Sequence, residues 1–349
     1  MASPKHELVA ALENFLTEKG VPESETNSLL DSSPTGWETH GDLILLPKNS
    51  LKEWASHAGP ELWETVAKAL GGERLARKGE IAGLERRPQV EMLLGENRRV
   101  THREHGIDYS FDVTKSMFSA GNLAERGRMG DLDCRGQGGD GTGGSRGQGG
   151  DLQSGRGDSG SGGEIVLDLY AGIGYYTLPL LVRAGAAYVH ACEWSDDAVD
   201  ALHQNLAANG VSDRCTVYPG DNQISLSRGG SANDSPAGRD GPAASVLGNC
   251  DRVMLGLLPS SENGWPLALS ALKPEGGILH LHGNAPGGEE EAWARAVVAR
   301  LVELEGDRKV TESVAGNERV ISLERLVKVK WYAPHVRHCV ADIKITEPL

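Results

Sequence analysis

Hydrophobic positions recur at helical spacing over residues 5–19, where Leu8, Ala11, Leu12, Phe15 and Leu16 share a face and Gly20 supplies a stop. From Trp37 to Arg103 the pattern turns mixed. The run GDLILLPKNS predicts a strand and a turn, and GPELWETVAKALGG a helix ended by its glycines. RLARKGEI and VEMLLGENRRVTHREHGIDYSFDV predict strands with turns at Glu96-Asn97 and His105-Gly106. Beyond residue 164 short apolar runs alternate with amphipathic segments. IVLD, YVHACE, CTVYPGDN, DRVMLGLLP and GGILHLHGN read as five strands, with helical patterns between them. Ser195 is placed to cap a helix running through Asn209, and Gly210 to end it. The stretches ERVISLERLVKVKWYAP and RHCVADIKI then read as a closing antiparallel pair.

This alternation defines an α/β, doubly wound, Rossmann-like domain preceded by a smaller α+β domain. The expected boundaries are an N-terminal helix and linker over 1–36, the α+β module over 37–126, and the doubly wound domain over 164–349. Two segments break the pattern. Residues 136–163 contain 14 glycines among 28 positions, which cannot bury enough apolar surface to offset backbone entropy. The region 127–163 is therefore expected to be a disordered insertion, and 227–249 a weaker one within a loop.

The formal net charge of -14 leaves no global positive field to attract nucleic acid, so an RNA partner would need a local basic surface. One candidate is Arg74 to Arg103, with Arg74, Arg77, Lys78, Arg86, Arg87, Arg98, Arg99 and Arg103; another is Lys328, Lys330, His335, Arg337 and His338. A solvated charged face is an equally good reading of either. The five cysteines are scattered without a Cys-x-x-Cys pair, which argues against a disulfide framework or a structural metal. Neither a signal sequence nor a membrane-length apolar run is evident, so a cytoplasmic, monomeric protein without metal is expected.

The most informative stretch is VLDLYAGIGYYTLPLLVRAGAAYVHACEW. A strand ends in Asp168, a small-residue turn carries Gly172 and Gly174, and a second strand ends in Glu193, 25 positions after Asp168. Such a unit seats a nucleotide-like ligand at strand carboxyl ends. A dinucleotide fingerprint wants a third glycine where this chain has Thr177, so S-adenosylmethionine, which has no pyrophosphate, is the better fit. Asp221 ends the third strand. Glu193 can accept from ribose hydroxyls, and Asp221 with Asn222 can bond the adenine edge. His280 and His282 share a strand face and could serve as a base, with structural core positions the more expected role.

Taken together, GPELWETVAKALG, FDVTKSMFSAGNLAER, the Asp168–Trp194 stretch, GDN, DRVMLGLLPSSENGWPLAL, GGILHLHGN and VKVKWYAPHVRHCVADIKI closely resemble the tRNA wybutosine-synthesizing protein 2 family. These are aminocarboxypropyltransferases related to the tRNA guanine-N1 methyltransferases. The resemblance implies transfer of the 3-amino-3-carboxypropyl group of S-adenosylmethionine to 4-demethylwyosine beside the anticodon of tRNA(Phe). It also implies that Ser119 and Arg126 hold the methionine carboxylate or its neighbours. Gly256 and Leu257 stand where the methyltransferase relatives carry an asparagine, and Ser195-Asp196 replaces the family's usual Asn-Pro. A guanine-N1 methyltransferase and an inactive RNA-binding adaptor are the alternatives.

Overall fold

A computed structural model describes residues 3–82, 87–136, 162–226, 246–312 and 319–347. The chain divides into two units, Met1–Ser119 and Ala120–Leu349.

In the N-terminal unit, α1 (Pro4–Glu18) starts at Ser3, whose hydroxyl accepts from the His6 amide, and Pro4 occupies the first turn where its missing N–H costs nothing. Its apolar stripe Leu8, Leu12, Phe15 and Leu16 is buried, as the spacing requires. A short α2 (Glu23–Asp31) follows in what the sequence suggests is linker; its nine residues carry little periodicity, and Leu29 alone of its leucines is buried. Strands β1 (Glu38–His40), β2 (Leu43–Leu46), β3 (Arg74–Ala82) and β4 (Arg87–Leu94) form one sheet in that order. β2 and β3 run parallel, joined across α3 (Pro60–Ala69), while the outer pairs are antiparallel. Leu8, Leu12 and Leu16 share a core with Ile44, Leu46, Trp54, Leu62, Val66 and Leu75. The first helix thus belongs to this unit's core and is no separate segment ending at residue 36. Strands β5 (Arg99–Glu104) and β6 (Ile107–Asp112) form a hairpin turned at His105 and Gly106, both at positive φ.

The second unit opens with α4 (Leu123–Gly130), so residues 127–130, expected in the glycine-rich insertion, are helical. Cys134 is fully buried, donates its amide to the Ala184 carbonyl and accepts from the Glu164 amide. The remainder of that insertion, 137–161, and 227–245 of the second lie outside the described residues; Val246 sits in the core.

The sheet contains β7 (Ile165–Asp168), β8 (Tyr188–Glu193), β9 (Cys215–Pro219), β10 (Arg252–Leu255), β11 (Gly276–Pro286), β12 (Val320–Ala333) and β13 (Val336–Thr346). Their spatial order is β12-β13-β11-β10-β7-β8-β9. β9 to β11 are mutually parallel through β8, β7 and β10, and β13 pairs antiparallel with both β11 and β12. The chain leaves β7 toward β8 on one side and returns to β10 on the other. That reversal opens a crevice outside the carboxyl ends of β7 and β10.

Connecting helices follow the predicted pattern. α5 (Thr177–Pro179) continues as a π turn over Leu180–Ala184 and stops at Gly185, whose φ is +79°. α6 (Asp196–Ala208) follows β8, α7 (Asn222–Ser225) follows β9, α8 (Trp265–Ala271) follows β10, and α9 (Glu290–Glu312) joins β11 to β12. Ser195 is extended at the start of α6, but its side chain makes no capping bond. Asp196 and Asp197 in the first turn face the positive end of the helix instead.

Candidate functional site at the sheet switch point

The turn after β7 is organised by two carboxylates with different tasks. Asp168 is fully buried and accepts from the Thr177 hydroxyl at 2.8 Å and the Tyr170 amide at 3.3 Å. Its oxygens are spent inside the turn, so it braces the glycine loop rather than presenting itself on the loop's surface. Burial pushes this carboxyl up to about 6, even though the Thr177 hydroxyl stabilises the charged form.

Glu193, half-buried at the end of β8, accepts from the amide of Gly172 at 2.8 Å and that of Ser195 at 2.9 Å, one on each oxygen. Each oxygen keeps a second acceptor position. Burial again raises the carboxyl, against the two amides. Gly172 has φ +57°, and a Cβ there would run into the Tyr175 ring. A glycine is required on both counts, and its bare Cα leaves the backbone open to a ligand. Trp194 stands beside Glu193 with 55 % of its surface exposed.

Two predicted residues flank this centre. Asn222 donates to the Leu169 carbonyl at 3.0 Å, which ties the end of β9 to the turn after β7. Asp221 is exposed and caps α7, accepting from the Gln223 amide at 2.8 Å. Asp168, Gly172, Glu193, Asn222 and Asp221 therefore gather at neighbouring strand ends. Arg126 is among the largest fully buried side chains, and its charge acts on the phenols of both Tyr175 and Tyr176 in the turn. Ser119 is the last residue of the N-terminal unit and is half-buried.

A buried ionic chain, not foreseen from sequence, holds α4 to the sheet. The Arg128 guanidinium donates to Glu125 at 2.7 and 2.9 Å and to Asp342 of β13 at 2.6 and 3.1 Å. Asp342 in turn accepts from His280 Nδ1 at 2.6 Å. Arg252 meets His280 Nε2 at 2.6 Å and grips Glu164 at 2.6 and 2.9 Å. Arginine can only donate, so His280 carries its proton on Nδ1 and is neutral. Burial would raise Asp342, but hydrogen bonds from His280 and Arg128 hold it well below the usual carboxylate range. The i, i+3 spacing of Glu125 and Arg128 was the available signal; their partners, more than 100 residues away, were not readable.

This chain removes His280 as a base, because both its nitrogens are engaged. His282 is buried, bonds His338 Nε2 through Nδ1 at 3.0 Å, and packs against Tyr176 with ring centroids 4.9 Å apart. Both histidines are core residues. In the C-terminal basic patch Lys328 pairs with Glu290 and Glu291, Arg337 stacks on Trp331 at 3.7 Å, and His338 is buried, while His335 is exposed. No group of three or more His, Cys, Asp or Glu suited to a metal occurs among the described residues, and no described helix is long and apolar enough to cross a membrane.

The seven-stranded sheet and the acid-and-glycine site at its switch point define a class I methyltransferase-type domain. Two family models match: the TYW2 N-terminal domain over residues 17–98 and the TRM5/TYW2 methyltransferase domain over residues 158–234. The Bos taurus tRNA wybutosine-synthesizing protein 2 homolog is 36% identical, across 98% of this chain and 77% of that protein. The chain belongs to the tRNA wybutosine-synthesizing protein 2 family. It is also 39% identical to the Arabidopsis thaliana tRNA wybutosine-synthesizing protein 2/3/4, where 98% of this chain spans 29% of the relative's length. A solved structure of P. horikoshii TYW2 in complex with MeSAdo matches with a TM-score of 0.67 and 26% identity, covering 97% of this chain and 100% of that one.

Proposed function

We propose that this chain transfers the 3-amino-3-carboxypropyl group of S-adenosylmethionine to 4-demethylwyosine in tRNA(Phe), acting in the cytoplasm as a monomer. The observation that carries the proposal is the pairing of Gly172 and Glu193 at the switch point. The amide of a left-handed glycine fixes the carboxylate, whose remaining acceptor positions suit the two hydroxyls of a ribose. Asn222 and Asp221, at the neighbouring strand end, suit the donor and acceptor edge of adenine, and exposed Trp194 offers a stacking face. S-adenosylmethionine supplies a sulfonium with three electrophilic carbons.

Choice among those carbons is a matter of orientation. Arg126 provides a fixed positive charge beside the turn, suited to the methionine carboxylate. Glu125, Arg128 and Asp342 keep the helix carrying Arg126 in place. Gly256 and Leu257 follow β10 where a methyl-transferring relative would carry an asparagine, which favours the larger group.

By-product analysis tests this reading. Chromatography of a reaction with precursor-bearing tRNA(Phe) should yield methylthioadenosine. S-adenosylhomocysteine in its place would make the chain a methyltransferase, and neither product, with RNA still bound, would make it an adaptor.

A further inference from the structure

The N-terminal unit contains a cavity of about 620 Å³ lined by Lys48, Lys52, Arg77, Lys78, Glu91 and the neutral side chains of Asn49, Gln89 and Thr114. Four cations line it with Glu91, and Glu38 pairs with Lys78, so the concavity keeps an excess of positive charge in a chain whose net charge is -14. The sequence divides these cations between two segments, and folding joins them. Parallel pairing sets Leu46 of β2 against Arg77 of β3, so the turn that leaves β2 with Lys48 begins beside Arg77 and Lys78. Asn49 and Leu51 take positive φ (70° and 59°) in that turn, which brings Lys52 round to the same rim.

A register shift between Lys78 and Ile81 interrupts the β3–β4 ladder, and there the successive residues Arg77, Lys78 and Gly79 all reach one cavity. Arg77 is held rigid by Glu91 at 2.7 Å and the Ser50 carbonyl at 2.9 Å; Lys78 is anchored by Glu38 at 2.6 Å. Lys48 and Lys52 are exposed at the mouth. Cations fixed at the back, exposed lysines in front and amide or hydroxyl groups between them are the groups that bind phosphate oxygens.

We infer that this cavity is a docking site for the sugar–phosphate backbone of the RNA substrate, with Lys48, Lys52, Arg77 and Lys78 as its phosphate contacts. The inference rests on the proposed tRNA reaction and names the surface that holds the polyanion. RNA backbone is favoured over a free phosphate because the space exceeds a single phosphate and the charges are spread around it. The other basic candidates are weaker. Lys328 of the C-terminal patch meets two carboxylates, Glu290 and Glu291, and His338 is buried, while Arg103 lies 3.6 Å from Asp108.

The test is equilibrium binding of tRNA(Phe) to the full chain and to K48E/K52E, over a series of salt concentrations. Reversing both charges should weaken binding at least tenfold and reduce the slope of log K against log salt by about 2, one for each lost phosphate contact. Melting temperature and S-adenosylmethionine affinity should be unchanged, since neither lysine is in a core or in the switch-point site. K48A and K52A singly should show intermediate losses, which guards against misfolding of the double variant. Unchanged tRNA affinity and slope would overturn the inference, as would a cavity that loses inorganic phosphate or mononucleotide on substitution while tRNA binding stays intact. Failure of the wild-type chain to bind tRNA at all would instead sink the functional reading.

Discussion

In the proposed site, Glu193 is the residue on which cofactor recognition would turn. In Glu193→Ala the amides of Gly172 and Ser195 lose their acceptor and the ribose hydroxyls lose theirs, so affinity for S-adenosylmethionine should fall by about 1–3 kcal/mol in calorimetry. An unchanged affinity would remove its assigned role. Gly172→Ala forces a side chain into left-handed backbone and against Tyr175. It should cost about 1–3 kcal/mol in urea denaturation and weaken cofactor binding in parallel. These two residues were legible in the sequence because the chemistry is local: a strand, an acid and a turn glycine lie within a short window. Asp168 was legible as a position but not as a role, since its partner Thr177 and its complete burial depend on the turn's path. The histidines of β11 show the opposite limit. Alternation puts His280 and His282 on one face, but their neutrality follows from complete burial, aided by Arg252 at His280 (against the pull of Asp342) and by His338 at His282, which the fold alone brings near.

At the level of elements, α4 carries Arg126 and is fixed to β13 by the Arg128–Asp342 pair. Removing the Asp342 charge leaves buried Arg128 with Glu125 but without the β13 carboxylate, so Asp342→Asn should destabilise the chain by about 3 kcal/mol. The loss should depend on acidity in a defined direction. Asp342 titrates well below its ordinary value of 3.8 in the folded chain, so its contribution is complete above that value and fades as pH falls further. The variant's deficit should therefore be full at neutral pH and shrink under strongly acidic conditions, which denaturation at several pH values would reveal. A deficit that stays constant would contradict the ionic role. Helix and strand identities were readable from periodicity wherever apolar residues repeat, as in α1, α3, α6 and the parallel strands. α2 escaped because its residues, ESETNSLLD, give only two leucines and no repeat. The turn from Lys48 to Lys52 escaped as a basic surface because its neighbours across the sheet lie about 30 positions further on.

The molecule as a whole should show opposing pH effects, and their sizes decide the outcome. Burial lowers His190 and His338 from 6.5 to about 4, so each favours the folded state progressively as pH rises from 4 to 6.5. Burial raises Asp168 from 3.8 to about 6, which disfavours the folded state across nearly the same interval. His280 and His282 are lowered by burial as well, and Glu193 and Glu125 raised, so four histidines oppose three carboxyls and net stability should increase from pH 4 to 6.5. A flat or falling stability there would show that the histidines are not buried as described. The glycine-rich segments 137–161 and 227–245 lie outside the described residues; by composition they are expected to be loop insertions, and joining their ends by short linkers should leave the melting temperature within a few degrees, because loop length changes closure entropy slowly.

The central claim concerns which group moves from cofactor to RNA, and the modified nucleoside reports it directly. Precursor-bearing tRNA(Phe) is incubated with the protein and S-adenosylmethionine labelled in its amino-acid chain, then digested for mass spectrometry. The account predicts that the tricyclic base gains the whole labelled aminocarboxypropyl group. A base that gains a single methyl, or stays unmodified while S-adenosylmethionine binds normally, would contradict it.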